Sequence, residues 1–109
     1  MLILFDHGTP KGLIRALAGH TIITAQARGW DTLDNGGLLD AAEKAAVDLL
    51  LTTDRRIRYQ QSLVGRKIAI AVLTGPTKWS RVRLHFQRIA TMVGTATPGS
   101  YIEIDIPFN

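Results

Sequence analysis

The sequence predicts an α/β domain, a three-layer α/β/α sandwich whose mostly parallel sheet has four or five strands. Three observations predict it. Short apolar runs of strand length alternate along the chain with amphipathic stretches of helical period. A length of 109 residues fits one domain, placed at 1–109. A composition of 46% hydrophobic and 20% charged residues suits a packed globule and not a disordered chain.

Each element has its own signal. Leu2-Ile3-Leu4-Phe5 is a buried-strand run. Thr9-Pro10 then reads as a helix cap with Pro in the first turn, and Leu13, Ile14 and Leu17 mark one helical face that ends at Gly19. Thr21-Ile22-Ile23-Thr24 is a second strand, rich in β-branched residues, and Ala25 to Gly29 form one helical turn. Asn35 is the expected N-cap of a helix carrying Leu38, Leu39, Ala42, Ala45 and Ala46 on one face. Leu49-Leu50-Leu51 is the third strand. Asp54 is placed to cap a short helix from Arg55 to Gln61, and Ile68 to Leu73 is the fourth strand. After the Gly75-Pro76 break, Trp79, Val82, Phe86, Ile89 and Val93 form the apolar stripe of a last long helix. Tyr101, Ile102 and Ile104 form a last strand.

Composition excludes several chemistries. The chain has no Cys, so disulfides, thiolate metal sites and Cys nucleophiles are absent, and 3 His do not make a His cage. Neither Gly8-Thr9-Pro10-Lys11-Gly12 nor Gly75-Pro76-Thr77-Lys78 has P-loop spacing. No apolar run approaches the roughly 20 residues that span a bilayer. The N-terminal run lacks a basic leader, so a cytoplasmic protein without a membrane partner is expected. Charge is uneven. Residues 1–54 carry 4 basic and 7 acidic side chains, while residues 55–102 carry 9 basic and none acidic. A basic half joined to an acidic half suits a polyanion-binding metalloenzyme, and it equally suits a basic face that keeps the protein dissolved.

In open parallel sheets, ligands bind outside the carboxyl ends of the strands. Asp6 follows the first strand and Asp54 the third, so both belong on that edge. Asp31, Asp34 and Asn35 precede a helix whose N-terminus belongs there too. Carboxylate oxygens without His or Cys suit Mg²⁺ or Mn²⁺, which activates water and offsets phosphodiester charge. Each acid also has a plainer reading: Asp6 as a turn-opening residue bonded to its own backbone, and Asp54 as an N-cap. His7 falls at the mouth of the site, His20 on the opposite edge and His85 on a helix surface.

A strand ending in Asp6 followed by Pro10 and a helix resembles the opening of PIN-like domains. Leu49-Leu50-Leu51-Thr52-Thr53-Asp54 resembles the strand that delivers a later acid in that family. The likeness runs from Met1 to Leu73 and is greatest to small bacterial PIN-like proteins. It implies a metal-dependent ribonuclease, including the toxin of a toxin–antitoxin pair, with Asp6 and Asp54 as ligands of Mg²⁺ or Mn²⁺. The family's further acid at the middle helix falls at Asn35 to Gly37, where Asp34 or Asn35 stands in as a catalytic group; Asp40 faces solvent. A fourth acid is missing after Asp54. On this reading Arg55 and Arg58 grip phosphate near the cut, and Lys78, Arg81 and Arg88 extend the track. RNA is the expected partner, with an antitoxin-type protein and a homodimer as further partners. The alternative is a non-catalytic module binding nucleic acid or a protein, anchored by Arg-rich faces and Trp30 or Trp79. A small-molecule binder at the same edge is a weaker third reading.

Overall fold

The structure is a computed structural model and describes residues 1–60 and 63–108. Five strands, β1 (Leu2–Phe5), β2 (Thr21–Thr24), β3 (Leu49–Thr52), β4 (Ala69–Thr74) and β5 (Tyr101–Asp105), form one sheet in the order β2-β1-β3-β4-β5. Every pairing is parallel. The α/β class expected from the alternation of runs is therefore observed, with five strands. All residues of β3 and β4 are buried, which is why both are apolar up to their last residue, Thr52 and Thr74, and do not alternate.

Alternate side chains sort the core into two clusters. Ile3, Phe5, Leu49, Leu51, Ala71 and Leu73 meet Leu13 of α1 (Leu13–Ala16), neighbouring Leu17, Val82 of α4 (Trp79–Val82), and Ile89 and Val93 of α5 (Phe86–Gly94). Leu4, Leu50, Ile70 and Val72 meet Leu38, Leu39 and Ala42 of α2 (Asn35–Lys44) and Ile57 of α3 (Ile57–Gln60). Helices thus pack on both faces of the sheet. Among the described residues no helix is long and apolar enough to cross a membrane.

Several local expectations are corrected. Asp34, not Asn35, is the N-cap of α2: its Oδ1 accepts the Gly37 N–H at 2.7 Å, while Asn35 is already the first helical residue. Thr9 does not cap α1. Its buried hydroxyl donates to the Leu51 carbonyl at 2.9 Å and ties the turn after β1 onto β3. Ala25 to Gly29 is a series of turns without a helix, closed by Trp30 N–H donating to Ala25 O at 2.8 Å. The helix after Asp54 covers only Ile57–Gln60, and Gln61 lies outside the described residues.

The last long helix is interrupted by a 3₁₀ turn, Arg83–His85. That turn advances about 120° per residue in place of 100°, and the expected stripe is kept only in part. Val82, Ile89 and Val93 are buried, but Trp79 is 41% exposed and Phe86 44%. At the end of β4, Gly75 has φ +84°, and a Cβ there would lie 2.3 Å from the Ile106 carbonyl oxygen, so only glycine fits this crossing.

Candidate functional site

The connection leaving β1 leads to β2 on one side, and the connection leaving β3 leads to β4 on the other. The adjacent strands β1 and β3 therefore flank the crevice where an open parallel sheet has its topological switch point. Phe5 pairs with Leu51, so Asp6 and Thr52 come next at the same level, and Asp6 N–H donates to Leu51 O at 3.0 Å. Asp54 stands two residues further along.

A single hydroxyl joins the two acids. Thr52 Oγ1 donates to Asp6 Oδ2 at 2.7 Å and accepts the Asp54 N–H at 3.1 Å. Thr52 is fully buried, and the two bonds run from it to acids that are half-buried. Asp6 Oδ1 accepts the His7 N–H at 2.7 Å. Asp54 Oδ1 accepts Arg56 N–H at 2.9 Å and Arg56 Nε–H at 3.1 Å, and its Oδ2 accepts Asn35 Nδ2–H at 3.1 Å. Burial pushes the Asp54 carboxyl up. The Arg56 side-chain and backbone bonds, the Asn35 amide and the Arg56 charge together outweigh that, and hold it below the usual carboxylate range. The plainer roles of both acids are thus present as well: Asp6 bonds the next backbone amide, and Asp54 organises the turn into α3.

The expected residues fall into four groups. Asp6, Asp54 and Asn35 gather at the β1–β3 crevice through the bonds above. Asp34 is engaged as the α2 cap beside them. Arg55 is exposed, directly after Asp54, and Lys78 holds the N-cap position of α4, with Arg81 exposed one turn on. Arg58 and Arg88 are engaged elsewhere. The Arg58 guanidinium lies 5.4 Å from the Tyr101 ring centroid on β5, and Arg88 donates to the Asp105 carbonyl. Asp40 is exposed, but it accepts from Arg66 at 3.1 Å.

Thr52 and Arg56 are the residues that sequence reasoning missed. For Arg56 a signal existed, since an Asp two residues before a basic residue on an opening turn favours side-chain bonding to that backbone amide. For Thr52 the signal was weaker: a hydroxyl at the last position of an otherwise apolar, buried run.

Beside Asp6 a small cleft of ≈ 40 Å³ is lined by His7, Thr9, Lys11, Thr24 and Gln26. A larger cavity of ≈ 570 Å³ opens at the opposite, amino edge, between Met1, Asp48, Lys67 and Pro98. Two of its carboxylates are engaged, Glu43 with Arg66 and Asp48 Oδ2 with the Leu2 N–H at 2.7 Å. Its two carboxylates thus already have partners within the fold, so the crevice at the carboxyl edge is the better candidate.

Among the described residues no group of three or more His, Cys, Asp or Glu side chains gathers, so there is no all-protein metal cage. The oxygen donors at Asp6 and Asp54 instead fit a hard divalent cation held by one or two carboxylates, with water and substrate phosphate completing the shell. Arg56 shares the Asp54 oxygens, but its side chain is 75% exposed and has space to withdraw. Comparison with protein-family models, with curated proteins and with solved structures finds no match to the chain.

Proposed function

We propose that the protein is a PIN-like, metal-dependent ribonuclease working at the β1–β3 crevice. The observation that carries this reading is the Asp6–Thr52–Asp54 linkage at the switch point of the sheet. Asp6 and Asp54 would hold Mg²⁺ or Mn²⁺, which when bound supplies an activated water and offsets charge on the phosphodiester. Thr52 fixes the Asp6 carboxylate by donating to Oδ2, while Oδ1 accepts the His7 N–H. Asn35 orients Asp54 through its amide. Arg55 supplies an exposed cation directly beside the acids, and Lys11 lines the cleft next to Asp6. Both suit a phosphate held against the crevice.

The test is a time course on labelled single-stranded RNA with Mn²⁺ or Mg²⁺, with and without EDTA. Cleavage that disappears in EDTA, in Asp6→Asn and in Asp54→Asn is the expected result. Cleavage that persists in Asp6→Asn rules the crevice out as its source. A second reading, a nucleic-acid-binding module without catalysis, is favoured by one observation. An amide, Asn35, approaches Asp54 where a third carboxylate is expected. RNA binding with no cleavage by the wild type in either ion would select it.

A further inference from the structure

We propose that Trp79 and Phe86, flanked by Arg15 and Arg83, form a stacking platform for the bases of a single-stranded nucleic acid. The inference deepens the ribonuclease reading and rests on it for the class of ligand. The two aromatic rings, Arg15, Arg83, Gly12 and Ala16 line a groove of ≈ 370 Å³ between α1 and the α4–α5 segment. Both rings are more than two-fifths exposed, at positions where the helical period alone would bury them.

The Trp79 ring is seated, not merely uncovered. A Cβ on Gly12 would lie 2.5 Å from its Cε2 and Cζ2 atoms, so the six-membered part of the indole rests directly on the Gly12 backbone. Gly12 has φ −59° and ψ −23°, which any residue adopts. The ring contact, and not the backbone, is what calls for glycine there. A ring held in this way presents apolar surface with little side-chain freedom left to lose on binding.

Charge selects the occupant. Both charged residues lining the groove are arginines, and none is acidic. Arginines beside exposed aromatic rings match a ligand that carries flat apolar faces on an anionic backbone. The groove also adjoins the candidate site, since Lys11 in the cleft beside Asp6 immediately precedes Gly12.

The experiment measures binding by fluorescence anisotropy in EDTA, so that cleavage plays no part. Labelled single-stranded oligonucleotides are compared with a duplex of equal length and with an abasic strand. Trp79→Ala should weaken single-strand binding roughly tenfold, and Trp79→Phe should retain most of it, because any aromatic face stacks. Gly12→Ala should displace the ring and weaken binding in the same direction, which provides a second variant should Trp79→Ala fold poorly. Arg15→Gln or Arg83→Gln should reduce the log–log salt slope by about 0.7 per lost phosphate contact, while Trp79→Ala leaves it unchanged. Unaltered affinity in both Trp79→Ala and Gly12→Ala overturns the platform, and so does an abasic strand that binds as tightly as the base-bearing one. A wild-type dimer that Trp79→Ala dissociates, with no oligonucleotide binding, also overturns it in favour of a second copy. Stacking without cleavage refutes the nuclease and keeps the platform; cleavage with an unaffected Trp79→Ala does the reverse.

Discussion

Thr52 is a buried hydroxyl with two protein partners, and its replacement separates two roles that coincide in the structure. Thr52→Val keeps the shape but leaves the Asp54 N–H without its acceptor and frees the Asp6 carboxylate. A buried donor left unpaired costs about 1–3 kcal/mol, and the Asp54 N–H is part-buried, so urea denaturation should show a loss at the lower end of that range. Thr52→Ser should recover most of it. Asp54 gives a pH dependence of known sign. Its carboxyl is held below its ordinary value of 3.8. It therefore contributes stability that is complete above the unfolded value and is lost as pH falls through the folded one. Arg56→Gln should move the Asp54 carboxyl back up toward its unfolded value, so that less stability depends on its ionisation and the loss is complete at a higher pH, as followed by carboxyl NMR titration and acid denaturation. High salt should reproduce part of the effect, because Arg56 is largely exposed. Asn35→Asp adds a third carboxylate where an amide now meets Asp54. Calorimetric titration with Mn²⁺ should show tighter binding than in the wild type, whereas the metal-free protein should be less stable through carboxylate repulsion. Unchanged affinity would count against the crevice as a cation site.

At the scale of elements, α2 is fixed at both ends by side-chain bonds. Its first turn is closed by Asp34, and its outer face is gripped by Arg66, which bonds both Asp40 and Glu43. Removing an Asp N-cap costs about 1 kcal/mol, while Asn caps equally well. Asp34→Ala should therefore lower the denaturation midpoint and Asp34→Asn should not, which distinguishes a cap from a metal ligand. Arg66 carries the chain that leads into β4, and its side chain is only 20% exposed. Arg66→Ala should leave two acids one turn apart facing each other, with a stability loss that Glu43→Gln in the same chain partly restores. The α4–α5 segment shows where periodicity fails as a guide. Its residues recur at helical intervals, yet a 3₁₀ turn interrupts the helix at Arg83–His85, and Trp79 and Phe86 lie at the surface while Val82, Ile89 and Val93 are buried. Nothing in the spacing of Trp79, Val82 and Phe86 signals that turn.

At the scale of the whole molecule, the basic half of the chain divides according to what its side chains already hold. Arg66, Arg88 and Arg58 are engaged with α2, with the end of β5 and with Tyr101, respectively. Arg55, Lys78, Arg81 and Arg83 are exposed and follow the carboxyl ends of β3 and β4. If these exposed cations supply the phosphate contacts, neutralising Lys78 and Arg81 together should weaken binding to unrelated single-stranded RNAs alike. It should flatten the salt dependence by about 0.7 per contact. The Arg88→Gln change should instead act mainly on stability, through the C-terminal strand. A uniform loss across all these variants would mean that charge acts only through the long-range field of the molecule.

The sequence by itself determined the class of the fold and the edge on which the acids lie. Fully apolar runs such as Leu49–Leu51 have a stable place only in strands covered on both faces, and an acid that ends such a run must emerge at its carboxyl end. The strand order was decided by tertiary structure, because the periodicity of a run does not say which neighbour it pairs with. With that order came the neighbouring of β1 and β3 that brings Asp6 to Thr52. The partners of each charge were decided there too. Arg56 reaches Asp54 while Arg58 turns to Tyr101, and Asp34 closes a helix while Asn35 meets the crevice. Such choices depend on where a backbone points its side chains in three dimensions, and one-residue shifts in a cap or a turn redirect them without altering any pattern visible along the chain.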